Sequence, residues 1–237
     1  MTADGAQDLH VLSAGAAQGL VETLAPRFLA ETGVALRTTF GAVGTIREKL
    51  LANERCDALI LTEAMIQELA SSGYVRLGIS ASLGRVRTGI GIRFGDDVPD
   101  IKNRAALQRT LCAATDIYVP DLHRSTAGMH FARVLEQLGI HAEISPRLRP
   151  HPNGATAMRE LAQSIGTTPI GCTQETEIRY TAGVTLVGPL PSEFELATVY
   201  SVAVGPRAAR RESAERFAQL LSGAGASQAR VQAGFEI

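Results

Sequence analysis

Asp121, Leu122, His123, Arg124, Ser125, Thr126, Ala127 and Gly128 place an imidazole, a guanidinium and two hydroxyls immediately ahead of an apolar helical pattern. Together these groups suit an anionic ligand. Arg124 can grip a carboxylate by a two-pronged pair, Ser125 can cap the helix while touching ligand, and His123 can shuttle a proton. A plainer reading stands beside this one, with Ser125 or Thr126 as a helix cap only and His123 and Arg124 solvated. A second group follows a later apolar run. Gln174 precedes Glu175 and Glu177, and one of these carboxylates can act as a base, while both also suit the N-terminus of a short helix. His123 and Glu175 are thus the candidate proton carriers. Arg147, Arg149 and His151 alternate, so on a strand they would share a face, most simply a solvated one.

Other chemistries lack their residues. No CxxC, HExxH or GxSxG occurs, no GK[ST] follows Gly41 and Gly44, and Gly89 with Gly91 lacks the third glycine and the helix of a dinucleotide fingerprint. Neither a metal nor a cofactor is expected. Cys56, Cys112 and Cys172 are odd in number and lie in apolar stretches, as small core residues do. A net charge of -1 supplies no general attraction for nucleic acid, so anion selectivity must be local. No run approaches the about 20 apolar residues that span a bilayer, so no membrane insertion is expected. Residues 1–8 lack the basic, apolar and small-residue regions of a secretory signal. A cytoplasmic protein is expected on that reading, or a periplasmic one if a signal has been removed.

These residues must be positioned by elements, and the apolar pattern supplies them. With 45% hydrophobic and 20% charged residues over 237 positions, the chain has the balance of a globular α/β protein. Short apolar runs at 10–13, 34–40 and 57–62 alternate with helical patterns, in the first of which Leu20, Leu24, Phe28 and Leu29 share a face and Gly33 ends the helix. The stretch 85–94 (RVRTGIGIRF) reads as a strand crossing to a second lobe. There helices are expected at 104–113, 127–138 and 156–165, with strands at 117–120, around 144–148, 170–173 and 185–187. The stretch 194–204 reads as a strand returning to the first lobe, and 207–222 as a helix. The expected lobes are 1–85 with 200–237, and 86–199. Two crossing strands make a hinge, and the cleft between the lobes is the expected site.

In parallel sheets, ligands sit beyond the carboxyl ends of the strands, where helix N-termini offer free N–H groups and partial positive charge. The ligand-binding candidates are therefore Ser13, Gly15 and Ala16, Gly44 and Thr45, and Thr62 in the first lobe. In the second they are Arg124, Ser125, Thr126 and Ala127, Gly154 and Ala155, and Gln174. Such small residues also occur wherever a turn is tight.

Four stretches, VLSAGAAQGLVETLAPRFLAETG (11–33), CDALILTEAMIQELASSGYV (56–75), STAGMHFARVLEQLGI (125–140) and VGPLPSEFELATVYSVAV (187–204), resemble the molybdate-binding-protein-like branch of extracellular solute-binding proteins. The resemblance covers residues 9 to about 221 and implies a type II periplasmic-binding fold, two α/β lobes joined by two hinge strands. Against that branch, a first-loop serine falls on Ala16, second-loop serines fall near Ala42, Val43 and Gly44, and a last-loop tyrosine falls on Gln174. Ala127 alone is retained. With those hydroxyls gone, molybdate would meet too few donors to offset its desolvation. The SxxG turn at 125–128 and the GxxQ segment at 171–174 are similar to a divergent group that includes aconitate isomerase. That resemblance implies carboxylate ligands and a C=C shift by proton transfer without a cofactor. The expected function is such an isomerase. The alternatives are a non-catalytic binding protein serving an ABC transporter permease, and a ligand sensor.

Overall fold

The computed structural model describes residues 8–75, 80–205 and 207–237, so the reading of residues 1–7 lies outside the described part. Two compact units emerge, Met1–Arg85 with Val199–Ile237, and Val86–Thr198.

In the first unit β1 (Leu9–Ala14), β2 (Leu36–Gly41) and β3 (Ala58–Thr62) run parallel in the order β2-β1-β3, and β9 (Ala197–Val204) pairs antiparallel with β3. Helices α1 (Gln18–Thr32), α2 (Val43–Leu51) and α3 (Glu63–Ser71) follow the three parallel strands. Every residue of β3 is buried, which is why ALILT is apolar without alternation. Leu20, Val21, Leu24 and Phe28 form the buried stripe of α1, and Phe28 meets Phe217 of α9 (Arg211–Ser222) edge to face at 5.3 Å. Leu29 is not part of that face. It is 48% exposed, because Val21 completes the stripe and Leu29 falls on the opposite side of the helix.

Strand β4 (Ser80–Arg93) carries the chain into the second unit and β9 brings it back. The second unit holds α4 (Arg104–Ala113), β5 (Ile117–Pro120), α5 (Thr126–Leu138), α6 (His141–Ile144), β6 (Leu148–His151), α7 (Gly154–Gln163), β7 (Ile170–Gln174), α8 (Glu175–Tyr180) and β8 (Val184–Pro189). Its sheet order is β8-β4-β7-β5-β6, parallel within β7-β5-β6 and antiparallel where β4 meets β7 and β8. The two faces carry separate cores. Ile90, Ile92, Ile117, Val119, Ile170 and Cys172 meet Leu107 and Leu111 of α4 and Phe131, Val134 and Leu135 of α5. On the other face Ala157, Met158 and Leu161 of α7 pack with Ile178 of α8. Gly89 and Gly91 fall on this second face, where any Cβ would press on Glu175, Ile178 and Val184, so α8 can lie close to β4.

Four sequence expectations change here. The strand expected around 144–148 is instead α6, a 3-10 turn at Ser145–Arg147, and β6. Pro146, with no N–H for a ladder, sits at the start of that turn. Arg147 consequently leaves the face that Arg149 and His151, two residues apart in β6, still share. The Arg147 guanidinium donates to the carbonyls of Cys112 and Ala114, Arg149 pairs with Asp116 at 2.7 Å, and His151 stacks on Tyr118. Phe194 lies in a 3-10 turn ahead of β9, and the last long helix begins at Arg211.

The cysteines are free thiols. Burial, aided by the Asp57 charge, pushes the Cys56 thiol up to about 12, and burial raises Cys172 as well. In the native protein at pH 8 a disulfide-exchange reagent should therefore titrate no thiol other than the part-exposed Cys112. All three should react after unfolding in guanidinium, as read by thiol absorbance.

Candidate functional site

In each unit the parallel strands end on one edge, and helices begin there. In the first unit Ser13 is fully buried and its hydroxyl donates to the Ala14 carbonyl at 3.0 Å. Gly15 and Ala16 form a buried 3-10 turn that feeds α1, while Gly44 and Thr45 lie in the first turn of α2. The Thr62 hydroxyl caps α3 by accepting the Met65 N–H at 3.3 Å. Neither α1 nor α2 has a side-chain cap. The first amide of α1, that of Gln18, already donates to the Gly15 carbonyl of the preceding turn, whereas the first N–H groups of α2 depend on an acceptor from elsewhere.

In the second unit the two faces separate the chemistry. On the α5 face, Thr88 of β4 lies directly opposite Gln174, the last residue of β7. Thr88 is fully buried and Gln174 is 2% exposed, yet the Thr88 hydroxyl and both atoms of the Gln174 amide have no hydrogen-bond partner. Orphaned buried groups of this kind cost about 1–3 kcal/mol each unless something satisfies them. The turn into α5 lies on the same face. There Ser125 is the N-cap, its hydroxyl accepting the Gly128 N–H at 3.4 Å, and Thr126 and Ala127 open the helix. Asp121 folds the preceding loop by accepting the N–H groups of His123 at 2.8 Å and Arg124 at 3.0 Å. Burial opposes ionisation of Asp121, but those amides and the Arg124 guanidinium at 3.6 Å outweigh it and lower its pKa. His123 and Arg124 are exposed at the rim of this turn, and Arg124 is engaged by Asp121.

On the other face the carboxylates of α8 have partners. Glu175 is 5% exposed and lies 3.8 Å from the Arg87 guanidinium and 3.9 Å from that of Arg179. Glu177 accepts the Thr173 hydroxyl at 2.6 Å and the N–H groups of Ala155, Gln174 and Gly154. Its burial is complete enough to raise its pKa against all four donors. Gly154 and Ala155, expected to meet ligand, therefore give their amides to Glu177, and Asn153 caps the rest of α7 through the Thr156 N–H.

The sequence reading passed over Thr88 and Arg87. Thr88 is a lone polar residue in the alternation Thr88, Ile90, Ile92, a signal that was available. Arg87 becomes legible only once β4 and β7 are known to be neighbours. A cavity of about 600 Å³, lined by Ile92, Asp96, Asp100, Arg109, Thr168 and Ile170, lies at the opposite ends of β4 and β7 from these groups. Among the described residues no group of His, Cys, Asp and Glu is arranged to hold a metal ion, and no helix is long and apolar enough to cross a membrane.

A mixed α/β architecture with strand-end helix N-termini is that of the type II periplasmic-binding proteins. The structure is similar to a periplasmic molybdate-binding protein of Azotobacter vinelandii, with a TM-score of 0.80 and 18% identity over 97% of this chain and 99% of that one. It is also similar to a sulfate-binding protein of Mycobacterium tuberculosis, with a TM-score of 0.74 and 18% identity over 97% and 86% of the two chains. At these identities the likeness shows the fold alone. Residues 9–236 match the family model for bacterial extracellular solute-binding proteins, and the chain belongs to that family. An aconitate isomerase of Pseudomonas sp is 28% identical over 237 residues, covering 96% of this chain and 87% of that protein.

Proposed function

We propose that this protein binds a small polycarboxylate at its strand-end edges and shifts a C=C bond in it by proton transfer, acting on a substrate of the aconitate type. The observation that carries the reading is the buried pair of Thr88 and Gln174, whose hydroxyl and amide N–H donors are satisfied once a ligand's carboxylate oxygens reach them. Identity to an aconitate isomerase over nearly the whole chain supports the substrate class.

In the proposed reaction a base removes a proton from the methylene next to the C=C bond. The charge spreads into the conjugated carboxylate, and the proton returns at the far carbon, so nothing is oxidised and no atom is lost. Glu175 is the proposed base, with Arg87 and Arg179 beside it to balance charge as the proton moves. Gln174, Thr88, Ser125 and the first amides of α5 hold carboxylates. His123, exposed on the Asp121 turn, lies outside this scheme. The family is described as extracellular, which speaks against the cytoplasmic expectation, so we place the protein outside the cytoplasm.

The family favours a second reading, in which the protein binds a carboxylate for a transporter permease and catalyses nothing. Incubation with trans-aconitate in D₂O separates the two by proton NMR. Deuterium entry at the methylene with formation of the cis isomer is expected, tight binding without exchange would give the transporter reading, and indifference to every carboxylate tried would overturn both.

A further inference from the structure

We infer that the Glu177 carboxyl is a built-in occupant of the ligand-facing N-terminus of α7 and so decides which anions the second unit accepts. This rests on the reading of the strand ends as the binding edge. Helices α5 and α7 are the two of useful length that start on that edge of the second unit, at the ends of β5 and β6. The first amides of α7, at Gly154 and Ala155, together with the Gln174 N–H and the Thr173 hydroxyl, converge on one carboxyl, as donors in a solute site would. That carboxyl belongs to α8 of the same chain. The fit is close enough that a Cβ at residue 154 would overlap both Glu177 Oε2 and the Thr173 hydroxyl, so only glycine is admitted there.

Two consequences follow for specificity. A compact oxyanion that needs donors from both helix N-termini finds those of one already taken by the Glu177 carboxyl, and is shut out. Among the described residues of the second unit, the orphaned Thr88 and Gln174 groups and the α5 turn remain on the opposite face from Glu177. An extended acid that places a carboxyl there and its remaining carboxyls elsewhere is compatible with this arrangement. Glu177 is on this account a specificity-determining residue and not a catalytic one.

Glu177→Ala removes the carboxyl and leaves its four donors around a hole of carboxylate size. Thermal melts of this variant and of the wild type are compared in sodium formate, sodium sulfate and sodium chloride at equal ionic strength. Formate is expected to raise the Tm of the variant saturably, by about 3 °C or more beyond chloride, and to leave the wild type at its chloride value. Equal responses of variant and wild type to formate and chloride would overturn the inference. Should Glu177→Ala not fold, Gly154→Ala supplies the second test. It pushes the carboxyl off the amides without deleting it, and is expected to lower the affinity of the remaining site for trans-aconitate by less than its effect on Tm implies, and formate should not rescue its Tm. Formate rescue of Gly154→Ala to wild-type Tm would count against the assignment. Rescue of Glu177→Ala in a wild type that binds no carboxylate would sink the proposed function and leave this inference standing, and trans-aconitate turnover without rescue would do the reverse.

Discussion

Glu175→Gln is expected to lower the rate of trans-aconitate isomerisation by about 10²- to 10⁴-fold, the usual loss when a positioned base is removed, with substrate affinity changed by less than about tenfold. The amide keeps the volume of the side chain and one acceptor oxygen while losing the proton-carrying capacity. Deuterium exchange at the substrate methylene should fall in parallel with the rate, because both need the same proton abstraction. The loss of a buried charge beside Arg87 and Arg179 will also disturb those guanidiniums, so the comparison that matters is rate against affinity. His123→Ala is the contrast. Its side chain is exposed on a turn organised by Asp121 through backbone amides, and its removal should leave the rate close to that of the wild type. A variant ranking in the opposite order would transfer the role of base to the imidazole.

Asp57→Ala is expected to destabilise the first unit by roughly 3–5 kcal/mol, lowering Tm by about 10 °C, because three backbone donors lose a buried acceptor at once. Asp57 is 1% exposed at the entry to β3. One carboxylate oxygen accepts the His10 N–H at 3.0 Å, and the other accepts those of Ala209 at 2.8 Å and Arg210 at 3.2 Å. The side chain thereby joins β1 and β3 to the segment that leads into α9, three pieces of chain that are far apart in sequence. Asp57→Asn keeps one acceptor oxygen and should lose about half as much. Circular dichroism melts of the two variants at neutral pH measure both figures, and an alanine variant within 1 °C of wild type would show that water replaces the carboxylate without penalty.

How far the sequence alone reaches can be judged from particular elements. Helix 104–113 and strand 117–120 were readable to the residue, since an asparagine cap at Asn103 and a short β-branched run announce their own limits. The α/β class, the glycine at the end of α1 and the Ser125 cap were readable for the same reason. Helix caps and apolar periodicity act between residues a few positions apart, so they are written locally. The segment 144–151 was misread because Ile144 and Leu148 are apolar in a turn as they would be in a strand, and burial alone does not choose between them.

The candidate site divides along the same line. Residue types and strand-end positions told which groups can meet an anion, and by themselves they determined the α/β class and the absence of known metal or nucleotide motifs. Only tertiary structure decided which of those groups have other partners. It set Thr88 against Gln174 across two strands 86 residues apart in the chain, and brought Glu177 to the amides of Gly154 and Ala155. Hydrogen bonding is short-ranged and exclusive, so whether a donor is left for a ligand depends on neighbours that chain order does not reveal.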